Sequence, residues 1–118
     1  MKTFTDIEQS KKLAEILPLE SADMHFSTWT IVEGGEFIVS QNQGSTIKSL
    51  QEDYGAQIIP CWSLAALLDI LPTGKVLLHD KGNHGYKCIC NNIDSYYFNN
   101  PVDACVAMIE KLHEQNFI

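Results

Sequence analysis

The chain has 118 residues, 45% of them apolar and 19% charged, a composition typical of globular rather than disordered proteins. Eight basic residues stand against fifteen carboxylates for a net charge of −7, and all eight are lysines scattered from Lys2 to Lys111. Without arginine forks for bidentate phosphate or guanine contacts, and without a basic stripe to follow a phosphate backbone, direct nucleic-acid binding is not expected.

The length suits a single domain over 1–118. "MKTFTDIEQSKK" has no apolar signal core, and the longest apolar-rich run, "WSLAALLDILP", is too short to span a bilayer. A cytoplasmic protein with no membrane association is therefore expected, with its four cysteines as free thiols.

In chain order, "TFTDIEQSKKLAEILP" opens with a capping box in which Thr5 and Glu8 would satisfy each other's amides. Ile7, Leu13, Ala14 and Leu17 give a helical face that stops at Pro18. "DMHFSTWTIVEGGEFIVSQ" predicts a hairpin with arms Met24–Val32 and Glu36–Gln41 around "EGG". "NQGSTIKSLQEDYGAQ" reads as an irregular connection. "IPCWSLAALLDILP" predicts a second helix between Pro60 and Pro72, burying Leu64, Leu67, Leu68 and Leu71, with Trp62 as a core anchor.

"GKVLLHD", "YKCIC" and "SYYF" predict three short strands. "NNPVDACVAMIEKLHEQ" predicts the last helix, with Asn100 as N-cap, Pro101 at the first helical position, and Val102, Cys105, Met108, Ile109 and Leu112 on one stripe. "LAEILP" and "LLDILP" echo one another, each ahead of a hairpin. The order α-β-β-α-β-β-α, with an extra short strand before the last helix, implies an α+β fold: an antiparallel sheet of two hairpins with about three helices packed on it.

Three stretches, "FTDIEQSKKLAEILPLESADM", "PCWSLAALLDILP" and "NPVDACVAMIEKLHEQ", resemble a family of short uncharacterised proteins encoded by phages and mobile elements of intestinal bacteria. The resemblance covers both ends and the middle helix, about half the chain. It implies a bacterial or phage origin and an intracellular product. It brings no activity, ligand or catalytic residue.

"HDKGNHGYKCICNN", from His79 to Asn92, is the segment richest in chemistry. Its metal-ligand candidates are His79, His84, Cys88 and Cys90, and structural zinc would need all four on one side. The answer turns on register. With a loop over Lys81 to Gly85, Asp80 faces Tyr86, Leu78 faces Cys88 and Val76 faces Cys90, and His79 lies on the opposite side from the cysteines. A loop one residue shorter, ending at His84, sets His79 across from Tyr86 on the cysteine face. The hydrophobic pattern favours the longer loop, because the shorter one places Lys75 with the cysteines. Buried cysteines acting as small hydrophobes, without metal, are then the simpler expectation.

The other chemistries have less support. Cys61, beside Pro60 at the expected helix start, is the better-placed thiol, but no histidine is assignable as its base. Cys105 falls on the apolar stripe. Glu33, Glu36, Glu52 and Asp53 read as solvated turn residues. "EGGE" and "KGNHG" lack the context of a phosphate loop, so neither cofactor nor catalytic residue is assigned.

The expected function is that of a small acidic accessory protein acting through protein–protein interaction, with an unidentified partner or with itself as a homodimer. A metal-binding or thiol-dependent protein centred on His79–Cys90 is the alternative. An acidic decoy for a nucleic-acid-binding protein is a further reading permitted by the charge. In the longer-loop register Leu77 and Ile89 form an opposed apolar pair on the hairpin's outer face, between Lys75, His79 and Lys87. Phe117 and Ile118 could cover that pair, within one chain or across a two-fold axis.

Overall fold

A computed structural model of the protein describes residues 1–27, 37–54, 58–82 and 85–118. Among them, four α-helices and two three-stranded antiparallel sheets make an α+β fold. The chain divides into two compact units, Asp6–Ser63 and Met1–Thr5 with Leu64–Ile118.

In the first unit, helix α1 (Ile7–Ile16) is capped by Asp6 rather than Thr5. The Asp6 carboxylate accepts the Gln9 amide at 2.8 Å, and the Gln9 side chain accepts the Asp6 amide at 3.1 Å. The reciprocal box forms one residue later than expected because both frames carry a capping residue followed three positions on by Glu or Gln, and Thr5 is buried.

Strand β1 (Met24–Ser27) pairs with β2 (Ile38–Gln41), Met24 opposite Gln41 and Ser27 opposite Ile38. This is the end of the expected hairpin away from its turn; Phe37 precedes β2, and 28–36, with the "EGG" turn, lie outside the described residues. The His25 ring is tied through Nδ1 to Asn42 Oδ1 at 2.8 Å.

Two expectations fail here. Ile47–Tyr54, expected to be irregular, is helix α2. Thr46 starts it, its hydroxyl accepting the Ser49 amide at 3.0 Å and its carbonyl the Leu50 amide at 3.0 Å. Ile47 is buried and Leu50 half-buried, so a short apolar face at helical spacing exists in a stretch dominated by polar residues. Pro60, expected to begin a helix, lies in strand β3 (Ile59–Cys61), which pairs with β1 and completes the sheet β2-β1-β3. Among the described residues β3 is an edge strand paired only with β1, a place where proline is tolerated because no ladder on the far side needs its missing N–H. Trp62 is fully buried as expected, its indole N–H donating to Ser21 Oγ at 2.9 Å. It precedes the helix rather than belonging to it.

The second unit contains helix α3 (Leu64–Ile70), strands β4 (Val76–Asp80), β5 (Gly85–Cys90) and β6 (Ile93–Asp94), and helix α4 (Pro101–Glu114). Leu67 and Leu71 are buried, and Leu64 and Leu68 half-buried. The sheet order is β4-β5-β6. Asn91 and Asn92, with φ of 52° and 64°, make the two-residue turn from β5 to β6, a conformation asparagine tolerates better than most residues.

"SYYF" does not form the third strand. β6 ends at Asp94, Tyr96 turns left-handed at φ 66°, and the chain rejoins β5 only where Tyr86 and Phe98 exchange both backbone bonds, at 2.7 and 2.8 Å. Tyr96 and Tyr97 stand opposite the single Lys87, one residue more than the ladder needs, and form a bulge. Gly85 permits this return: a Cβ there would lie 3.0 Å from the Phe98 carbonyl oxygen and 3.1 Å from Tyr97 Cβ.

Helix α4 matches its expected start and stripe. Asn100 Oδ1 accepts the Asp103 amide at 2.8 Å, and Val102, Cys105, Met108, Ile109 and Leu112 are all buried. Asn116, with φ 63°, ends it, the Phe117 amide donating to Leu112 O and the Asn116 amide to His113 O. These are the paired bonds of a Schellman motif.

Gly85→Ala is expected to lower the unfolding free energy by about 1–3 kcal/mol, the usual cost of overpacking a tight site. Denaturant melts of wild type and variant would measure it; equal stabilities would contradict the close approach of Phe98.

Candidate functional site

The β4-β5 hairpin takes the shorter-loop register. Val76 pairs with Ile89, Leu77 with Cys88, Leu78 with Lys87, His79 with Tyr86 and Asp80 with Gly85. The expected alignment is thus wrong by one residue, and every side chain of β4 changes face relative to β5. Three local features hold this register. Asp80 Oδ1 accepts the Gly82 amide at 2.9 Å and so starts the turn immediately after β4. Gly85 serves as the first residue of β5 rather than the last of the loop. The His79 and Tyr86 rings stack at 4.2 Å and 6° across the pair. Lys75, whose placement disfavoured this register, lies just before β4, and its amine turns back to Leu71 O at 3.3 Å.

One face of the hairpin therefore carries Leu77, His79, Tyr86, Cys88 and Cys90. Its cysteines are buried against α4, where the Cys88 and Cys105 thiols share a hydrogen bond. That bond draws the Cys88 thiol down, against the effect of burial. It pushes Cys105 up far beyond the ordinary thiol range, and burial adds to the rise. Burial also raises Cys90.

Of the metal candidates, His79 does share the cysteine face, but it is exposed at the turn end and stacked on Tyr86. Cys88 and Cys90 are buried, and His84 lies outside the described residues. Among the described residues no group of three or more His, Cys, Asp or Glu side chains could hold a metal ion. Cys61, expected to be the better-placed thiol, is fully buried on β3.

The outer face is where the expectation changes most. Leu77 and Ile89 are not an opposed pair; Leu77 lies on the cysteine face and Ile89 outside. The outer apolar group is instead Val76, Leu78 and Ile89, with Val76 45% and Leu78 41% exposed. Phe117, proposed as cover, is 55% exposed, and Ile118 is held by the helix end, its carbonyl oxygen 3.1 Å from His113 Nδ1.

Beside the apolar group runs a polar half. Lys87 Nζ lies 3.1 Å from Asp94 Oδ2 and 4.9 Å from the centre of the Tyr97 ring. The Tyr97 hydroxyl donates to Asp80 Oδ2 at 3.2 Å. Tyr97 thus reaches past side-chain-free Gly85 to β4, a bridge that strand pattern alone does not reveal.

The backbone adds a third feature. Tyr86 directs its N–H and C=O to Phe98, and Cys88 directs its own to Ser95: its carbonyl accepts the Ser95 amide and its amide donates to Ser95 Oγ, both at 2.9 Å. In an antiparallel ladder these directions alternate. Gly85, Lys87 and Ile89 therefore serve β4, through Asp80, Leu78 and Val76. Leu77 and His79 turn their N–H and C=O groups to the open edge of the sheet.

The Asp94 carboxyl is held below its ordinary pKa, first by the Tyr96 amide it accepts at 2.7 Å and then by Lys87; partial burial opposes both. A carboxyl depressed in the folded state stabilises it above the unfolded value, about 4, and loses that contribution as pH falls through the folded value. Asp94→Asn keeps an oxygen for Tyr96 but not the charge for Lys87. Its thermal midpoint is expected to fall below that of wild type at neutral pH, with the gap closing in acid. A gap independent of pH would contradict the assignment.

No protein-family model matches the chain, and neither curated proteins nor solved structures yield a match.

Proposed function

We propose that this chain acts as an accessory protein by binding another protein through the outer face of the sheet β4-β5-β6. The observation that carries the reading is the exposure of Val76 and Leu78 beside Ile89, three aliphatic side chains on one face of a hairpin whose other face buries two cysteines. Complete burial of a valine or leucine is worth about 1.5–3 kcal/mol, so these two hold back on the order of 2 kcal/mol that a covering surface would release. The flanking Asp80, Lys87, Asp94 and Tyr97 form a polar rim with both signs of charge, the usual surround of a recognition patch. No described helix is long and apolar enough to cross a membrane. The family resemblance supports a bacterial or phage origin and an intracellular setting.

The experiment is comparative. Tagged wild type and Leu78→Lys would be purified in parallel from the native cell and their co-purifying proteins quantified. The expected result is a protein retained by wild type and depleted at least tenfold with the variant, the variant's fold being unchanged by circular dichroism. A loss of about 1.4 kcal/mol of binding free energy suffices for that factor. Identical sets of captured proteins would overturn the reading.

A further inference from the structure

The outer apolar group ends at β4, and β4 is an open edge. Among the described residues it pairs only with β5, and its five residues contain neither proline nor a bulge. Leu77 and His79 offer a short ladder of unpaired N–H and C=O groups along it, the arrangement that accepts another strand.

We propose that two copies of the chain join edge to edge through β4, antiparallel and centred on Leu77, as one continuous six-stranded sheet. The inference rests on the binding reading above and names its partner. Two registers about a two-fold axis satisfy the edge hydrogen bonds, and charge separates them. Centred on Leu78, the pairing sets Lys75 opposite Lys81 of the second copy and Val76 opposite its Asp80. Like charges then face each other directly, and a carboxylate meets valine. Centred on Leu77, it sets Leu77 against Leu77, Val76 against Leu78, and Lys75 against His79. Both carboxylates of the Asp80 pair then fall beyond the apolar centre, alongside Gly74.

In that register the row Ile89–Val76 of one copy continues into Leu78 of the other, and the two-fold axis repeats it. The patches that end at the edge of each copy become one. A foreign strand would need apolar residues opposite Val76, Leu77 and Leu78 on both faces; a second copy supplies them. An interface of one short strand per copy falls below about 1,200 Å², the range of weak complexes. Association is therefore expected at micromolar rather than nanomolar concentration.

The test combines mass and site-resolved amide exchange across low to high micromolar concentration. Wild type is expected to pass from one chain to two, with the Leu77 and His79 amides slowing over the same range while that of Leu78 does not change. His79→Pro removes no hydrogen bond inside the sheet and is expected to remain a folded monomer. Should it fail to fold, Val76→Lys, on the exposed face, serves the same purpose and is expected to be a monomer as well. A dimer that survives the folded variants, or one that leaves the Leu77 and His79 amides unchanged, overturns the proposal. If wild type stays a single chain while Leu78→Lys still loses its captured protein, self-pairing is overturned and the binding reading stands. If wild type stays a single chain and Leu78→Lys captures the same proteins, both are overturned.

Discussion

Which side chains of the β4-β5 hairpin share a face depends on one constraint, the double pairing of β5. Its Tyr86 and Cys88 are committed to the returning chain at Phe98 and Ser95, so its other residues must serve β4. Faces follow from directions. With His79 across from Tyr86, Cys88 and Cys90 turn toward α4, and Val76, Leu78 and Ile89 turn away. A slip of one residue would exchange the two sides of β4.

The result inverts the usual distribution of size. The strand buries two small thiols, that of Cys88 beside Cys105, and leaves larger aliphatic groups outside. Small residues let a helix approach a sheet closely, which suits α4, whose Val102, Met108, Ile109 and Leu112 are all buried. The cost is an apolar outer face, only partly screened by Tyr97 and the Lys87–Asp94 pair. The exposure of that face contributes nothing to the stability of the isolated fold.

Strong local signals were legible in the sequence. Asn100 and Pro101 marked the start of α4 and its apolar spacing marked the buried stripe, because both depend on residues within a few positions of one another. The capping box of α1 was legible in kind but shifted by one, since Thr5 and Asp6 are both competent caps. Elements set by distant partners were not. Pro60 and Cys61 form a strand because β1 has a second edge to satisfy, and α2 is carried by Ile47, Leu50 and a threonine cap within a polar stretch. Hydrophobic pattern alone points to the other hairpin register because it does not capture side-chain reach. Lys75 can sit on the cysteine side, its amine meeting a carbonyl at the strand end, and Gly85 can be strand because Phe98 needs its empty flank. The candidate site changed accordingly, from Leu77 with Ile89 to Val76 and Leu78 with Ile89.

The register itself is the most direct thing to measure. Non-hydrogen-bonded antiparallel partners bring their Cα atoms to about 4.5 Å, close enough for strong magnetisation transfer between α protons. Cross-strand α-proton contacts are expected between Leu77 and Cys88 and between His79 and Tyr86. Contacts between Leu78 and Cys88 and between Asp80 and Tyr86 would contradict the account, returning Val76 and Leu78 to the buried side and removing the outer apolar face.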